Sequence, residues 1–298
     1  MSPELHAHAD AWSFPLLVTS ALALVGLVYW RGWFRLRRDF PNTISVWRLS
    51  AFLSGIFFLW IVVGSPLSTF DHASLTVHMI NHLTLMTLVA PLILIGAPRR
   101  TLSRALPAGS GRNAHNFFAR SRQLQPIERF ITHPIFCWLF ATATVIGWHL
   151  PTVFNLAARS HGWHDLEYTC FILAGLLFWL PVIRPLTSVP ERPRWSVPVY
   201  LFLATLPCDI LSAFLVFCGR AVYPSYLSVN PLFNFSALQD QQCAGALMWV
   251  WVTFAYLLPA FIITVQLLSP EPTASQQTAH VAHPLATLPL PDSHAEVA

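Results

Sequence analysis

Seven long, continuous apolar stretches leave this chain one kind of fold. A bilayer-spanning helix needs about 20 mostly apolar residues. Segments at about 14–30, 49–68, 74–96, 134–151, 167–184, 198–218 and 243–267 meet that requirement. They are unbroken runs, unlike the short alternating segments of a membrane β-barrel. Only 10% of the 298 residues are charged, where a soluble domain carries about 25%. The expected fold is therefore all-α: a polytopic membrane helix bundle of about seven transmembrane helices, with the lipid bilayer as its first partner. Pro91, Pro181, Pro207 and Pro259 fall within or near the ends of these segments. Membrane helices accept proline where neighbours re-satisfy the freed backbone groups.

The basic residues set an orientation. All seventeen are arginine, and fifteen lie in three loops, 31–48, 97–133 and 184–197; only Arg159 and Arg220 lie in the alternate loops. The positive-inside rule puts the three basic loops in the cytoplasm. The N-terminus is then outside and the C-terminus inside. Residues 1–13 carry Glu4 and Asp10 but no arginine or lysine, so the positive start of a cleavable signal is missing. They are expected to form an external tail, followed by the bundle over 14–268 and a disordered, Pro/Ala/Thr/Ser-rich cytoplasmic tail over 269–298. Within the 97–133 loop, Pro107-Ala-Gly-Ser-Gly-Arg-Asn113 reads as a flexible joint, and the surrounding arginines suit anionic headgroups. The formal charge of +4 is thus an orientation signal, and no nucleic-acid partner is expected. Cys137, Cys170, Cys208, Cys218 and Cys243 form no CxxC, no CxxCH and no disulfide framework.

Against this apolar background the ionisable residues stand out, because charge at membrane depth is costly and marks function by default. His78 and His82 lie i, i+4 within the third segment, which places both imidazoles on one helix face. Met86 continues that stripe. At 1.5 Å per residue, His78 lies roughly 6 Å, His82 roughly 12 Å and Met86 roughly 18 Å below the outer face. Asp209, counted back from the end of the sixth segment, comes to about 13 Å, the depth of His82. His149 caps the outer end of the fourth segment, and His161-x-x-His164-x-x-Glu167 leads into the fifth. Asp71 and His72 just precede the third, and Asp240 and Cys243 open the seventh. Eight of the thirteen histidines map to the external half: His6, His8, His72, His78, His82, His149, His161 and His164.

That convergence suggests a metal site in the outer leaflet built from His78, His82, His149, His161, His164, Glu167 and Asp209. Imidazoles with a thioether or thiol such as Met86 or Cys208 form a donor set that soft or borderline metals favour. Plainer readings stand beside each feature. Paired histidines can simply hydrogen-bond between helices. The His161–Glu167 segment can be an ordinary first turn whose Asp165 and Glu167 favour the macrodipole. Met86 and the cysteines can be core packing. Two other functions are also open. A haem could sit between histidines of facing helices, making an electron-transfer protein. Asp209 and the histidines could instead serve a proton-coupled transporter or an intramembrane metalloenzyme, although there is no HExxH, no GxSxG and no inverted repeat. The leading expectation is that the chain is not an enzyme.

Several blocks together resemble the CtaG family of multi-span cytochrome c oxidase assembly proteins. They are His78-Met-Ile-Asn-His82, Ala90-Pro-Leu-Ile-Leu-Ile-Gly-Ala-Pro98, His133-Pro134, Trp148-His-Leu-Pro-Thr-Val-Phe-Asn155, His161-Gly-Trp-His-Asp-Leu-Glu167 and Phe178-Trp-Leu-Pro181. The resemblance covers about 45–270. It implies a bacterial plasma-membrane protein of about seven helices that helps mature a haem–copper oxidase, with an oxidase subunit as partner and copper as the ion delivered or handled. Where the family commonly carries a further histidine, this chain has Glu167-Tyr168.

Overall fold

The computed structural model describes residues 15–40, 45–65, 70–71, 73–96, 101–102, 124–187, 195–227 and 235–269, without the side chains of 124–125 and 184–187. The tail over 1–13 with His6 and His8, His72, the joint over 107–113, His115 and the tail from 270 lie outside the described residues. The described elements are α1 (Leu16–Asp39), α2 (Val46–Gly64), α3 (Leu75–Ile95), α4 (Leu124–Ile131), α5 (Pro134–Trp148), α6 (Pro151–Arg159), α7 (His161–Thr187), α8 (Ser196–Phe217) and α9 (Ala237–Leu268). Among the described residues there is no strand.

Six helices, α1, α2, α3, α7, α8 and α9, are long and apolar enough to cross a membrane. Among the described residues a seventh candidate is the pair α5 and α6, which passes as one span but is bent by 73° at the break between them. The break follows from Pro151, which disfavours helical backbone at Leu150 before it. α5, the fourth apolar segment, is therefore a 15-residue helix of about 22 Å, after which the chain turns away. The fifth segment starts earlier than its hydropathy implies, so that His161, His164 and Glu167 stand on the first two turns of α7.

α3 is the central helix. In its most apolar stretch 61% of residues are buried, against 17–44% for the other five long helices. Pro91 has no N–H for the Thr87 carbonyl and its ring crowds that group. The helix widens there into a π-turn at Leu85–Val89. Trp179 of α7 reaches into the widened turn and donates its indole N–H to the Met86 carbonyl at 2.9 Å. Gly175 permits that approach: a β-carbon there would lie 3.0 Å from the Met86 Cα and 2.8 Å from the Ala90 Cβ. At the other end of α3, Tyr29 stacks on Phe52 with ring centroids 3.7 Å apart and donates to the Gly96 carbonyl at 2.6 Å, tying α1 and α2 to the bundle.

The beginning of α3 is held by α9. A helix starts with N–H groups that lack intrahelical partners. Asp240 accepts from the Leu75 N–H at 2.7 Å and the Thr76 N–H at 3.2 Å, and from the Thr76 and Ser74 hydroxyls at 2.6 and 3.0 Å. Asp240, which sequence reading took only as the start of a span, is a cap supplied from another helix. Asp240→Ala is expected to cost about 2 kcal/mol, read as a lower thermal midpoint of the detergent-solubilised protein. An unchanged midpoint would show that the cap is dispensable.

Candidate metal centre

α3, α7 and α9 begin at the same end of the bundle, and α5 and α8 finish there. At that end the i, i+4 spacing does what it predicts: the His78 and His82 rings lie on one face, centroids 4.2 Å apart. α7 presents His164, Glu167 and Tyr168 to them, and a short turn at Phe70–Asp71 folds Asp71 over the top.

Asp71 is fully buried and fully engaged. One carboxylate oxygen accepts from His78 Nδ1 at 3.0 Å and from the Asn81 amide at 3.2 Å. The other accepts from His164 Nε2 at 2.6 Å and from the Tyr168 hydroxyl at 2.9 Å. The Asn81 amide also donates to the Tyr168 oxygen at 3.0 Å, and the Tyr226 hydroxyl donates to the Asp71 carbonyl at 3.0 Å. Burial opposes the charge on Asp71, but the His78 imidazole beside it and the hydrogen bonds from His164 and His78 outweigh burial and hold the carboxyl well below its ordinary range. Burial, reinforced by the charges of Asp71, Asp240 and Glu167, pushes the Tyr226 hydroxyl well above its ordinary value, so it remains a donor.

Glu167 contrasts with Asp71. It too is fully buried, yet neither carboxylate oxygen has a hydrogen-bond partner among the described residues. One of those oxygens stands 3.5 Å from His78 Nε2 and 3.5 Å from His82 Nε2, contacts without hydrogen-bonding geometry. His82 has no hydrogen-bond partner at either ring nitrogen, and His78 has none at Nε2. Buried polar atoms are satisfied in the great majority of cases, so three orphaned groups around one point call for an explanation. With His78 Nδ1–H committed to Asp71, the ring turns Nε2 towards Glu167. The gap needs positive charge, either a proton on imidazole or a metal ion.

His78, His82 and Glu167 offer ligand atoms within 4.8 Å of one another, as do Asp71, His78 and His164. The two groups differ in kind. Every oxygen of Asp71 is occupied, so the second group is an orienting network; a carboxylate bound to the far nitrogen of a ligating histidine fixes its tautomer and raises its basicity. The first group is the one with free lone pairs.

A small cavity of about 20 Å³ is lined by His82 and by Phe171, whose rings stack with centroids 3.9 Å apart. Its wall includes Met79, Met86, Met248, Cys208 and His149. His149 Nδ1 lies 2.6 Å from the Val145 carbonyl and its Nε2 lies 3.2 Å from the Met79 sulfur.

Of the sequence-derived candidates, the structure brings together His78, His82, His164 and Glu167, with His149 joining through the cavity. His161 is exposed on the first turn of α7 and belongs to neither group. Asp209 also belongs to neither; one of its oxygens is buried without a partner, and Cys208, not Asp209, lines the cavity. The depth match between the sixth segment and His82 thus holds for the neighbouring residue, about 100° round the helix. Sequence reading placed Asp71 only in a loop and gave Asn81, Tyr168 and Met79 no role. A signal for Asn81 was present: it lies three residues after His78, on the same helix face.

The sequence profile of the cytochrome c oxidase caa3 assembly factor family (Caa3_CtaG) matches residues 27–269. The chain is similar to an uncharacterised protein of Mycobacterium leprae, 28% identical over 272 residues, covering 90% of this chain and 40% of that protein. Uncharacterised proteins of Mycobacterium bovis and Mycobacterium tuberculosis are each 26% identical over 275 residues, with the same coverage. The chain therefore spans about two-fifths of the length of the curated relatives it matches. No solved structure matches it.

Proposed function

The chain belongs to the cytochrome c oxidase caa3 assembly factor family, and from that membership we propose that it handles copper during maturation of a haem–copper oxidase in the bacterial plasma membrane. His78, His82 and Glu167 hold the ion, and Asp71 orients His78 while His164, Tyr168 and Asn81 fix Asp71. The observation that carries this reading is Glu167: a fully buried carboxylate with no hydrogen-bond partner, equidistant from two imidazole nitrogens. Imidazole with a single carboxylate is a donor set that copper accepts. The arginine distribution supports placing this end of the bundle outside the cytoplasm, where an oxidase subunit could meet the ion. In this role the protein passes on an ion and an oxidase subunit is its partner; it is not an enzyme.

Because the ion replaces a proton at the cluster, binding should release protons and weaken as pH falls. The test is copper content of the purified full-length protein, loaded under reducing conditions, beside His78→Ala/His82→Ala. The variant should retain less than about a tenth of the wild-type copper, and oxidase activity in cells carrying it should fall in parallel. Equal copper in both proteins would remove these histidines as ligands and end the proposal.

A further inference from the structure

We propose a second, softer site beside the first, in the cavity lined by His82, His149 and three methionines, that takes Cu(I). The proposal rests on the reading that the His78–His82–Glu167 cluster admits a cation. The chain has four methionines, one of them Met1; the other three, Met79, Met86 and Met248, all line this one cavity. Cys208 adds a thiol, and His82 and His149 add imidazoles. Thioether, thiol and imidazole are the donors that select Cu(I) over harder ions.

The usual role of a buried methionine is to fill gaps, with its sulfur against the edge of an aromatic ring. The arrangement here differs in two ways. First, these side chains surround a cavity with room for one water-sized body, which is near the size of one ion. Second, the two imidazoles that line the cavity have ring nitrogens that no protein oxygen claims, both in His82 and Nε2 in His149. His149 Nδ1 sits at 2.6 Å from the Val145 carbonyl; two acceptors would repel there, so Nδ1 carries the hydrogen. The lone pair of the neutral ring is then on Nε2, and Nε2 faces the Met79 sulfur at 3.2 Å. Backbone carbonyls commonly hold metal-ligating histidines in this tautomer. His82, 4% exposed and unpartnered at both nitrogens, also lines the cavity.

The local fold serves the same end. Met79, His82, Leu83 and Met86 recur at i, i+3, i+4 and i+7, one stripe along α3. The π-turn at Leu85–Val89 sets the final part of that stripe, and such turns occur often at functional sites. His82 belongs to both sites: Nε2 lies 3.5 Å from Glu167, and the ring walls the cavity. An ion can therefore pass from a carboxylate and imidazole site to a sulfur-rich one by exchanging ligands around a single histidine. Copper stays Cu(I) throughout, so no electron moves.

The experiment uses the full-length protein in detergent, with selenomethionine in place of methionine, loaded anaerobically with Cu(I). X-ray absorption at the copper and selenium edges reads whether copper and selenium are bonded. Since every methionine but Met1 lines the cavity, copper with two or more selenium neighbours assigns the site without any substitution. The companion variant Met79→Leu/Met86→Leu/Met248→Leu keeps side-chain volume. It should bind Cu(I) and Ag(I) at least about tenfold more weakly while retaining wild-type affinity for Co(II), an ion suited to the outer cluster. Copper bound in a shell of nitrogen and oxygen alone would overturn the inner site and leave the outer one standing. Wild-type protein that binds neither Cu(I) nor Co(II) would overturn both.

Discussion

Glu167→Gln should weaken metal binding about 100-fold or more and leave the metal-free protein at least as stable as wild type. The two effects have one cause. Burying a carboxylate without hydrogen bonds costs several kcal/mol, and Glu167 is buried with both oxygens unpartnered. A carboxamide has the same shape, removes the charge and can donate to His78 or His82 Nε2, each 3.5 Å away. Without metal, the substitution relieves a burden. With metal, it removes a charged ligand, and loss of even an outer partner of a ligand costs about 10–100-fold in affinity. A purely structural ion pair makes the opposite prediction, because breaking a buried pair destabilises by about 3–5 kcal/mol. Calorimetric titration with metal and a thermal melt without it separate the two. A lowered midpoint together with unchanged metal affinity would mean that Glu167 holds the helices together and does not bind an ion.

The greatest loss of stability is expected at Asp71. Its carboxylate receives four side-chain hydrogen bonds, from His78, Asn81, His164 and Tyr168. Asp71→Ala would leave four donors at a buried point without an acceptor. Each orphaned donor costs about 1–3 kcal/mol, but members of one network relax together and the sum does not apply. About 3–5 kcal/mol is the expected total, typical of stripping one partner from a buried charge network. That loss threatens folding itself, so Asp71→Asn is the informative companion. It retains one acceptor oxygen and most of the packing, but presents N–H groups to donors. The His78 ring would no longer be fixed, and metal affinity should fall about 10–100-fold with the fold preserved. The thermal midpoint and resistance to protease in detergent report the first effect; copper competition reports the second. If Asp71→Ala melts within about 0.5 kcal/mol of wild type, a surface-like effect, the network is not what anchors this end of α3.

Both predictions rest on Asp71 and Glu167, and sequence reading treated them unequally. Glu167 could be found because it stands three residues after His164 in a segment where charge is rare. Asp71 could not, since it falls in a turn outside any apolar run, where an acid is unremarkable. Only the folded turn at Phe70–Asp71 brings it over His78 and His164. Asp240 repeats the lesson: from sequence it opens a span, whereas in the fold its carboxylate caps α3 from another helix. Asp209 and Cys208 show the limit most sharply. Their depth was legible from a count of residues, but adjacent positions point about 100° apart, and hydropathy fixes a helix's length without fixing its rotation. The methionine chamber was hidden for the same reason, as Met248 lies on α9, far along the chain from Met79 and Met86.

Sequence alone determined the class of fold, the approximate number of crossings and the shared face of His78 and His82. Those follow from local rules: backbone groups in hydrocarbon must be satisfied within the helix, and helical periodicity aligns i with i+4. Tertiary structure decided which polar groups are answered and which are left facing one another. That depends on how packed helices rotate and where a loop closes, which no single segment encodes.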